Sequence, residues 1–440
     1  RRLVRDNNAE CLVPNAAAHH INAGSRGAVT CAFSHNGLYL AAVTADASLF
    51  VVRVYYTSTW REFVSFSGHH DLVYDLSWSP DDRELVSASS DFTAKVWNIE
   101  EASTSNRAPP AQLFQHACFV YAAGFHPTAR APGLVVTGAY DGLVRVWDRK
   151  DGVVLTQVDV HRARVNALAF DPLGKRLFTG DSDGVVKEFS CDARSQGTGL
   201  KLMRSSNELE GCGITSIKVH PNGRRLVVTA KHHTLATFDT TLFAVNKRYH
   251  GLRCSEFPIK SAVSPDGRFI ISGSEDGYVY LWNIDTATCY QLGAMHLRDE
   301  VVWTVSWSPT EHTVAICGLG PSIPLMIFTH DKAKPDPVAD GEKGSVVTAA
   351  PSVISMLGSV NQSHLAQKKK LATPELPDVL SPEKIAEMLA SLRMATNQAR
   401  RRAETGPGAA HVAAAREGRP APADDHLVVS KSTREVGIRD

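Results

Sequence analysis

Apolar and polar positions alternate with a period of two, in short runs, along most of the first 330 residues. Val73-Tyr-Asp-Leu-Ser-Trp78-Ser-Pro is typical: it predicts a strand that ends at Pro80, followed by a turn at Pro80-Asp-Asp and a second strand from Glu84 to Ala88. The same ending recurs at Pro127, Pro221, Pro265 and Pro309, with Asp171-Pro172 in the equivalent place. Proline fits there because the chain is leaving the sheet. A second pattern is Gly273-Ser-Glu-Asp-Gly-Tyr-Val-Tyr-Leu-Trp282, a tight turn on Asp276-Gly277 and an alternating strand that closes on an indole. Ser89-Ser-Asp-Phe-Thr-Ala-Lys-Val-Trp97 and Ala139-Tyr-Asp-Gly-Leu-Val-Arg-Val-Trp147 nearly copy it.

Counting copies gives the architecture. Asp91 leads to Trp97, Asp141 to Trp147, Asp183 to Phe189 and Asp276 to Trp282, and weaker copies end on Phe238 and Phe328. The closing aromatics are 42 to 50 residues apart, which is the period of a four-stranded propeller blade of the WD-repeat type. Val29 to Tyr55 supplies a further unit, so the expected fold is all-β, a seven-bladed WD40 β-propeller over residues 27–330. Closing such a ring requires the first and last blades to be joined. Residues 1–26 are expected to supply the outer strand of the last blade, with Cys11-Leu-Val-Pro14 as the strand itself.

Polar residues keep step with the turn aspartate. Four positions before it stand Ser87, Thr137, Thr179 and Ser272, and some 22 to 25 before it stand His69, His116 and His161. A buried aspartate without partners costs several kcal/mol, so its partners must recur with it. His69, Ser87, Asp91 and Trp97 are therefore expected to form one buried hydrogen-bonded set. His116, Thr137, Asp141 and Trp147 are expected to form another, and His161, Thr179 and Asp183 a third. Ser272, Asp276 and Trp282 belong to the same scheme. This accounts for these groups as structural rather than catalytic or metal-binding. Blade five has His232 where the acid belongs, and blade seven has Gly318-Leu-Gly-Pro-Ser322, which predicts irregular blades. Asp192 to Gly213 is expected to be a long polar loop.

Residues 331–440 contain no Phe, Tyr or Trp, so a mostly disordered tail is expected there. Within it, Ser381-Pro-Glu-Lys is a strong helix start, and Ile385, Met388, Leu389, Leu392 and Ala395 share one face. A helix over 381–402, ending at Arg400-Arg-Arg402, reads either as a marginal solvated helix or as one that docks weakly on a partner or an anionic membrane surface.

Composition adds limits. A net charge of +1 with 21% charged residues gives no basic field for nucleic acid. The longest apolar runs, such as Leu38 to Val43, are too short to span a bilayer. The eight cysteines lack a Cys-x-x-Cys spacing and are expected to be reduced thiols. The first residue is Arg1, which leads us to expect a longer parent chain. Catalytic motifs are missing from the sequence, and no cofactor or metal is expected. The pairs His19-His20, His69-His70 and His232-His233 would point to opposite faces of a strand. The expected function is protein binding. Tyr74, Tyr121 and Trp303 stand at the start of inner strands, where Asn166 holds the same place in blade four. Tyr140, Lys231 and Glu275 flank the turns beside them. Aromatic anchors among charges on one rim resemble an interface hot spot, the alternative being that these aromatics only plug the central channel.

Several stretches resemble the jouberin family. They are Cys11-Leu-Val-Pro-Asn15, Cys31-Ala-Phe-Ser-His-Asn-Gly37, Gly68-His-His-Asp-Leu-Val-Tyr-Asp-Leu-Ser-Trp78 and Phe119-Val-Tyr-Ala-Ala-Gly-Phe-His-Pro127. Leu134-Val-Val-Thr-Gly-Ala-Tyr-Asp141, His220-Pro-Asn-Gly-Arg-Arg-Leu226 and Gly273 to Trp282 extend the likeness over residues 10–330. The resemblance implies a non-enzymatic scaffold of the ciliary transition zone and basal body, a cytoplasmic and cytoskeletal place, and partners among transition-zone or axonemal proteins. The family's C-terminal SH3 module is not carried over, because the tail has no aromatic residue. The alternative is a substrate receptor of a cullin-type ubiquitin ligase, or another general WD-repeat scaffold. The ligase reading expects Trp-Asp-x-Arg, whereas Trp147-Asp-Arg149-Lys puts the arginine one place early.

Overall fold

Seven antiparallel sheets of four strands each follow one another along the chain. The computed structural model describes residues 10–338 apart from 47–48, 103–108, 129–132, 193–198, 298–299, 321–322 and 335–336. The tail helix expected over 381–402 lies outside the described residues. Blade 1 runs from Ala28 to His69, blade 2 from Val73 to Gln115 and blade 3 from Val120 to Asp159. Blade 4 runs from Val165 to Ser206, blade 5 from Ile214 to Tyr249 and blade 6 from Ser261 to His296. In each of these the strands pair in sequence order, from the inside of the ring outwards. Inner strands of successive blades touch, and the inner strand of blade 1 also touches that of blade 7, so the ring is closed.

Blade 7 takes three strands from Thr304 to Thr329 and its outer strand, Ala16–Ile21, from the other end of the chain. Ala16 pairs with Thr329 and Ile21 with Leu325. The pairing strand thus begins two residues after the expected Cys11–Pro14. Proline at 14 lacks the N–H that a ladder position would use. Instead, Cys11 and Val13 are buried with Phe269 and Phe328 in the core of blades 6 and 7. The Cys11 N–H donates to Asp266 Oδ2 at 2.7 Å, and Leu12 N–H donates to His312 Nδ1 at 3.0 Å.

Two further expectations are corrected. The polar stretch after Asp192 is not all loop: Gly199–Ser206 is the outer strand of blade 4, paired with Val186–Asp192. An outer strand is solvated over most of its surface, so its sequence carries little apolar pattern. Blade 5, for its part, is regular, with four strands of six residues. Its turn is held by His233, which accepts from Cys254 N–H through Nδ1 at 3.1 Å and donates its own N–H to the Cys254 carbonyl. The shortest inner strand belongs to blade 6, Ser261–Val263.

The core is a series of contacts between blades. Trp97 and Trp282 are fully buried, and truncating either to alanine would cost about 3–5 kcal/mol. At the tight turn of blade 6, Gly277 has φ 81°. A Cβ there would lie 2.4 Å from the Leu297 carbonyl oxygen, so only glycine fits.

Candidate protein-interaction face

The polar sets define one face of the ring, because their acids sit at the turns where inner strands begin. In blade 2 the set is complete. His69 Nδ1 donates to Asp91 Oδ2 at 2.7 Å, Ser87 Oγ lies 2.7 Å from His69 Nε2, and Trp97 Nε1 donates to Ser87 at 2.9 Å. Burial holds His69 below the usual histidine range, so its ring is neutral and Nε2 accepts the Ser87 hydroxyl. Burial pushes the Asp91 carboxyl up, but the hydrogen bond from His69, with Thr93 and Lys95 behind it, brings it well below the usual carboxylate range.

In blade 4 the acid is not Asp183. His161 Nδ1 bonds Asp181 Oδ2 at 2.7 Å and its Nε2 bonds Thr179 Oγ1 at 2.7 Å, while Asp183 is exposed. Asp181 also accepts the backbone N–H groups of Asp183 and Val185, the bonds that a turn acid makes in other blades. Blade 3 is incomplete. Trp147 donates to Thr137 Oγ1 at 2.8 Å, but Asp141 pairs with Arg145, and among the described residues neither ring nitrogen of buried His116 has a partner. Burial, helped by the Arg145 charge, pushes His116 down to about 3. Blade 6 departs further: Asp276 accepts from Tyr280 Oη, Ser272 donates to the Gly273 carbonyl, and Trp282 donates to the His250 carbonyl. Among the described residues no imidazole hydrogen-bonds that aspartate, and position 250 contributes its backbone carbonyl instead.

On the face so defined, the structure separates the six expected binding residues. Tyr74 and Tyr121 form a pair with ring centroids 4.7 Å apart. Tyr140 joins them through Phe119, its ring edge-on at 6.2 Å. Trp303 does not join them: it is buried with Val29, Ala45, Phe257 and Leu319, where blades 6, 7 and 1 meet. Lys231 and Glu275 are also engaged. Glu275 Oε1 accepts the backbone N–H groups of Ser255, Glu256 and Phe257 within 2.8 Å, and Lys231 Nζ donates to the Glu256 carbonyl at 3.2 Å. Both side chains hold one loop, so neither is a free contact group.

Three residues that the spacing argument missed complete the patch. Phe92 stacks on Phe119 at 5.3 Å, and the Arg164 guanidinium lies over the Tyr121 ring at 5.6 Å. Phe92 takes φ 68° at the turn position where blades 3, 4 and 6 have Gly142, Gly184 and Gly277. Left-handed backbone costs a residue with a Cβ about 1–2 kcal/mol. A bulky side chain kept at such a position is a functional signal. It was readable in the sequence as a phenylalanine replacing a recurrent glycine. Tyr74, Phe92, Tyr121, Tyr140 and Arg164 are half-buried, and so they present a continuous aromatic surface across blades 2 to 4. Among the described residues, no helix is long and apolar enough to cross a membrane, and no His, Cys, Asp or Glu cluster could hold a metal ion.

Comparison with known proteins agrees with this geometry. The model for "WD domain, G-beta repeat" matches residues 60–98, 108–148, 152–190 and 248–283. Jouberin of Mus musculus is 36% identical over 332 residues, 73% of this chain and 31% of that protein. WD repeat-containing protein 44 of Xenopus laevis is 31% identical over 225 residues, 50% of this chain and 24% of the relative. Protein lethal(2)denticleless of Drosophila melanogaster is 29% identical over 261 residues, 50% of this chain and 33% of the relative. The chain spans about a third of the length of these curated relatives or less.

Proposed function

The chain is a WD-repeat protein with a jouberin-like propeller, and from that premise we propose that it is a non-enzymatic scaffold that binds protein partners at the ciliary transition zone and basal body. In this role it would support cilium assembly and the gating of proteins into the cilium. The observation that carries the binding part is the aromatic patch of blades 2 to 4, with Phe92 held in a strained turn. Large rings with few rotamers, grouped with an arginine, are the side chains that dominate interface energies. The ciliary part is supported by the likeness to jouberin.

The test is affinity capture with a tagged chain in ciliated cells, alongside a Tyr74→Ala, Tyr121→Ala, Tyr140→Ala variant. We expect ciliary-gate components with the parent chain and at least tenfold less with the variant, at an unchanged melting temperature. Equal capture by the variant removes the patch from the reading, and a diffuse nuclear signal removes the ciliary role. Recovery of cullin adaptors would instead support the ligase-receptor reading. Against that alternative, Arg149 is bound to Glu84, Nε to Oε2 at 2.6 Å, and so is occupied within the propeller.

A further inference from the structure

The inner strands share a register, which shows what lines the central channel. Side chains alternate along each strand, and the row that contains Cys31, Leu76, Ala123, Ile217 and Val305 is buried in the cores between blades. The rows on either side of it therefore face the axis. The row nearer the aromatic face contains Thr30, Asp75, Ala122, Ala167, Ser216, Lys260 and Thr304. The next holds Ala32, Ser77, Gly124, Ala169, Lys218, Ala262 and Ser306. Among fourteen positions in these two rows only Asp75, Lys260 and Lys218 are charged.

Two of the three neutralise each other. Lys260 Nζ lies 2.6 Å from Asp75 Oδ1 and donates to the Tyr74 carbonyl at 2.6 Å, while Asp75 Oδ2 accepts the Ala123 N–H. This pair bars the channel below the aromatic face. Lys218 is left over. Its side chain is exposed to the channel although inner strands surround it, and no carboxylate lies within ion-pair distance among the described residues. Burial holds its ammonium below the usual lysine value; Asp75 opposes this and Lys260 reinforces it. At the same level stand the hydroxyls of Ser77 and Ser306. The Ser306 oxygen accepts the Phe33 N–H at 3.2 Å, which leaves its proton free to donate. The other positions at this level are Gly and Ala and add no bulk of their own, although the Leu168 side chain reaches the space beside Gly124.

We propose that the channel binds one small oxyanion, phosphate or carboxylate, on Lys218 with Ser77 and Ser306 as hydroxyl donors, entering from the face opposite the aromatic patch. An unpaired ammonium in an enclosed channel attracts an anion more strongly than one on open surface, because the surrounding protein screens less than bulk water. Phosphate and carboxylate both offer the acceptor oxygens that this donor set needs. The site is independent of the protein-binding patch and stands or falls without it.

The test uses the full chain and inorganic phosphate, with acetate as the carboxylate probe. Calorimetric titration should show saturable binding at one site. K218M should weaken it at least tenfold, K218R should stay within about threefold of the parent, and K231M should leave it unchanged. In the parent chain, NMR of the lysine ammonium groups should show the Lys218 resonance moving with either probe and its pKa rising. That readout decides the matter even if K218M does not fold. Binding of phosphate alone or acetate alone with this Lys218 dependence assigns the anion class. Failure of both probes to bind, equal binding by K218M, or an unmoved Lys218 resonance overturns the site.

Discussion

Lys260 of blade 6 meets Asp75 of blade 2 across the axis of the ring, Nζ to Oδ1 at 2.6 Å, although the two blades share no edge. Both side chains are only partly exposed, so their attraction is less screened than that of a surface pair. Removing one partner leaves a charge facing the channel alone. Lys260→Met should therefore lower unfolding stability by about 1–3 kcal/mol, and Asp75→Asn by a similar amount. A double-mutant cycle by urea denaturation should return a coupling of about 1 kcal/mol or more. A coupling of zero would mean that the pair contributes nothing across the ring.

Blade 4 offers a comparison of neighbours. Asp181 is buried against His161, whereas Asp183, two residues on, is exposed. Asp181→Asn should cost about 2–4 kcal/mol, since it disturbs a buried hydrogen-bonded charge, and Asp183→Asn should stay within about 0.5 kcal/mol. Thermal melting of the two variants side by side checks this, and the reverse order would restore the six-residue spacing as the guide.

Stability should fall on mild acidification through His116. Among the described residues its buried ring has no hydrogen-bond partner, and burial pushes its pKa down to about 3. The unfolded chain binds this proton near pH 6.5 and the folded chain does not, so stability present above pH 6.5 is lost as pH falls from there toward about 3. The slope is about 1.4 kcal/mol per pH unit for this one group. His116→Phe keeps a ring against Trp147 and removes the titration. Relative to the parent, the variant should gain about 2 kcal/mol between pH 7 and pH 5. Parallel pH dependence in parent and variant would rule out the assignment.

Phe92 predicts a trade between stability and binding. Phe92→Gly relieves the left-handed backbone and should raise stability by about 1 kcal/mol. It also removes the ring stacked on Phe119, so partner capture should fall. A variant that is less stable and binds as before would show that Phe92 is a packing residue only.

Much of this architecture is legible in the sequence because the blade repeats. Prolines after most inner strands and aromatic residues at the third strands count the sheets, and period-two alternation marks the strands themselves. Outer strands are harder to read: Gly199–Ser206 has water on most of its surface, so nothing forces an apolar alternation upon it. Asp181 was missed because what the histidine requires is a carboxylate within 2.7 Å, which the chain supplies from a different step of the turn. Trp303 and Tyr74 occupy equivalent strand positions but meet different neighbours, and a repeat cannot reveal that difference. The Lys260–Asp75 contact joins residues 185 apart, a distance over which no local pattern operates.

The outer strand of blade 7 sets a schedule for biosynthesis. Ala16 leaves the ribosome well before its partner Thr329, which follows about 300 residues later. At typical elongation rates of about 5–20 residues per second, the first strand waits roughly 15–60 s for the ladder that will hold it. Throughout that interval six nascent sheets can stack in an open arc with both ends bare. The ring is therefore a late, single-step event in the life of each molecule, and nascent chains are expected to depend on holding chaperones up to the moment of closure.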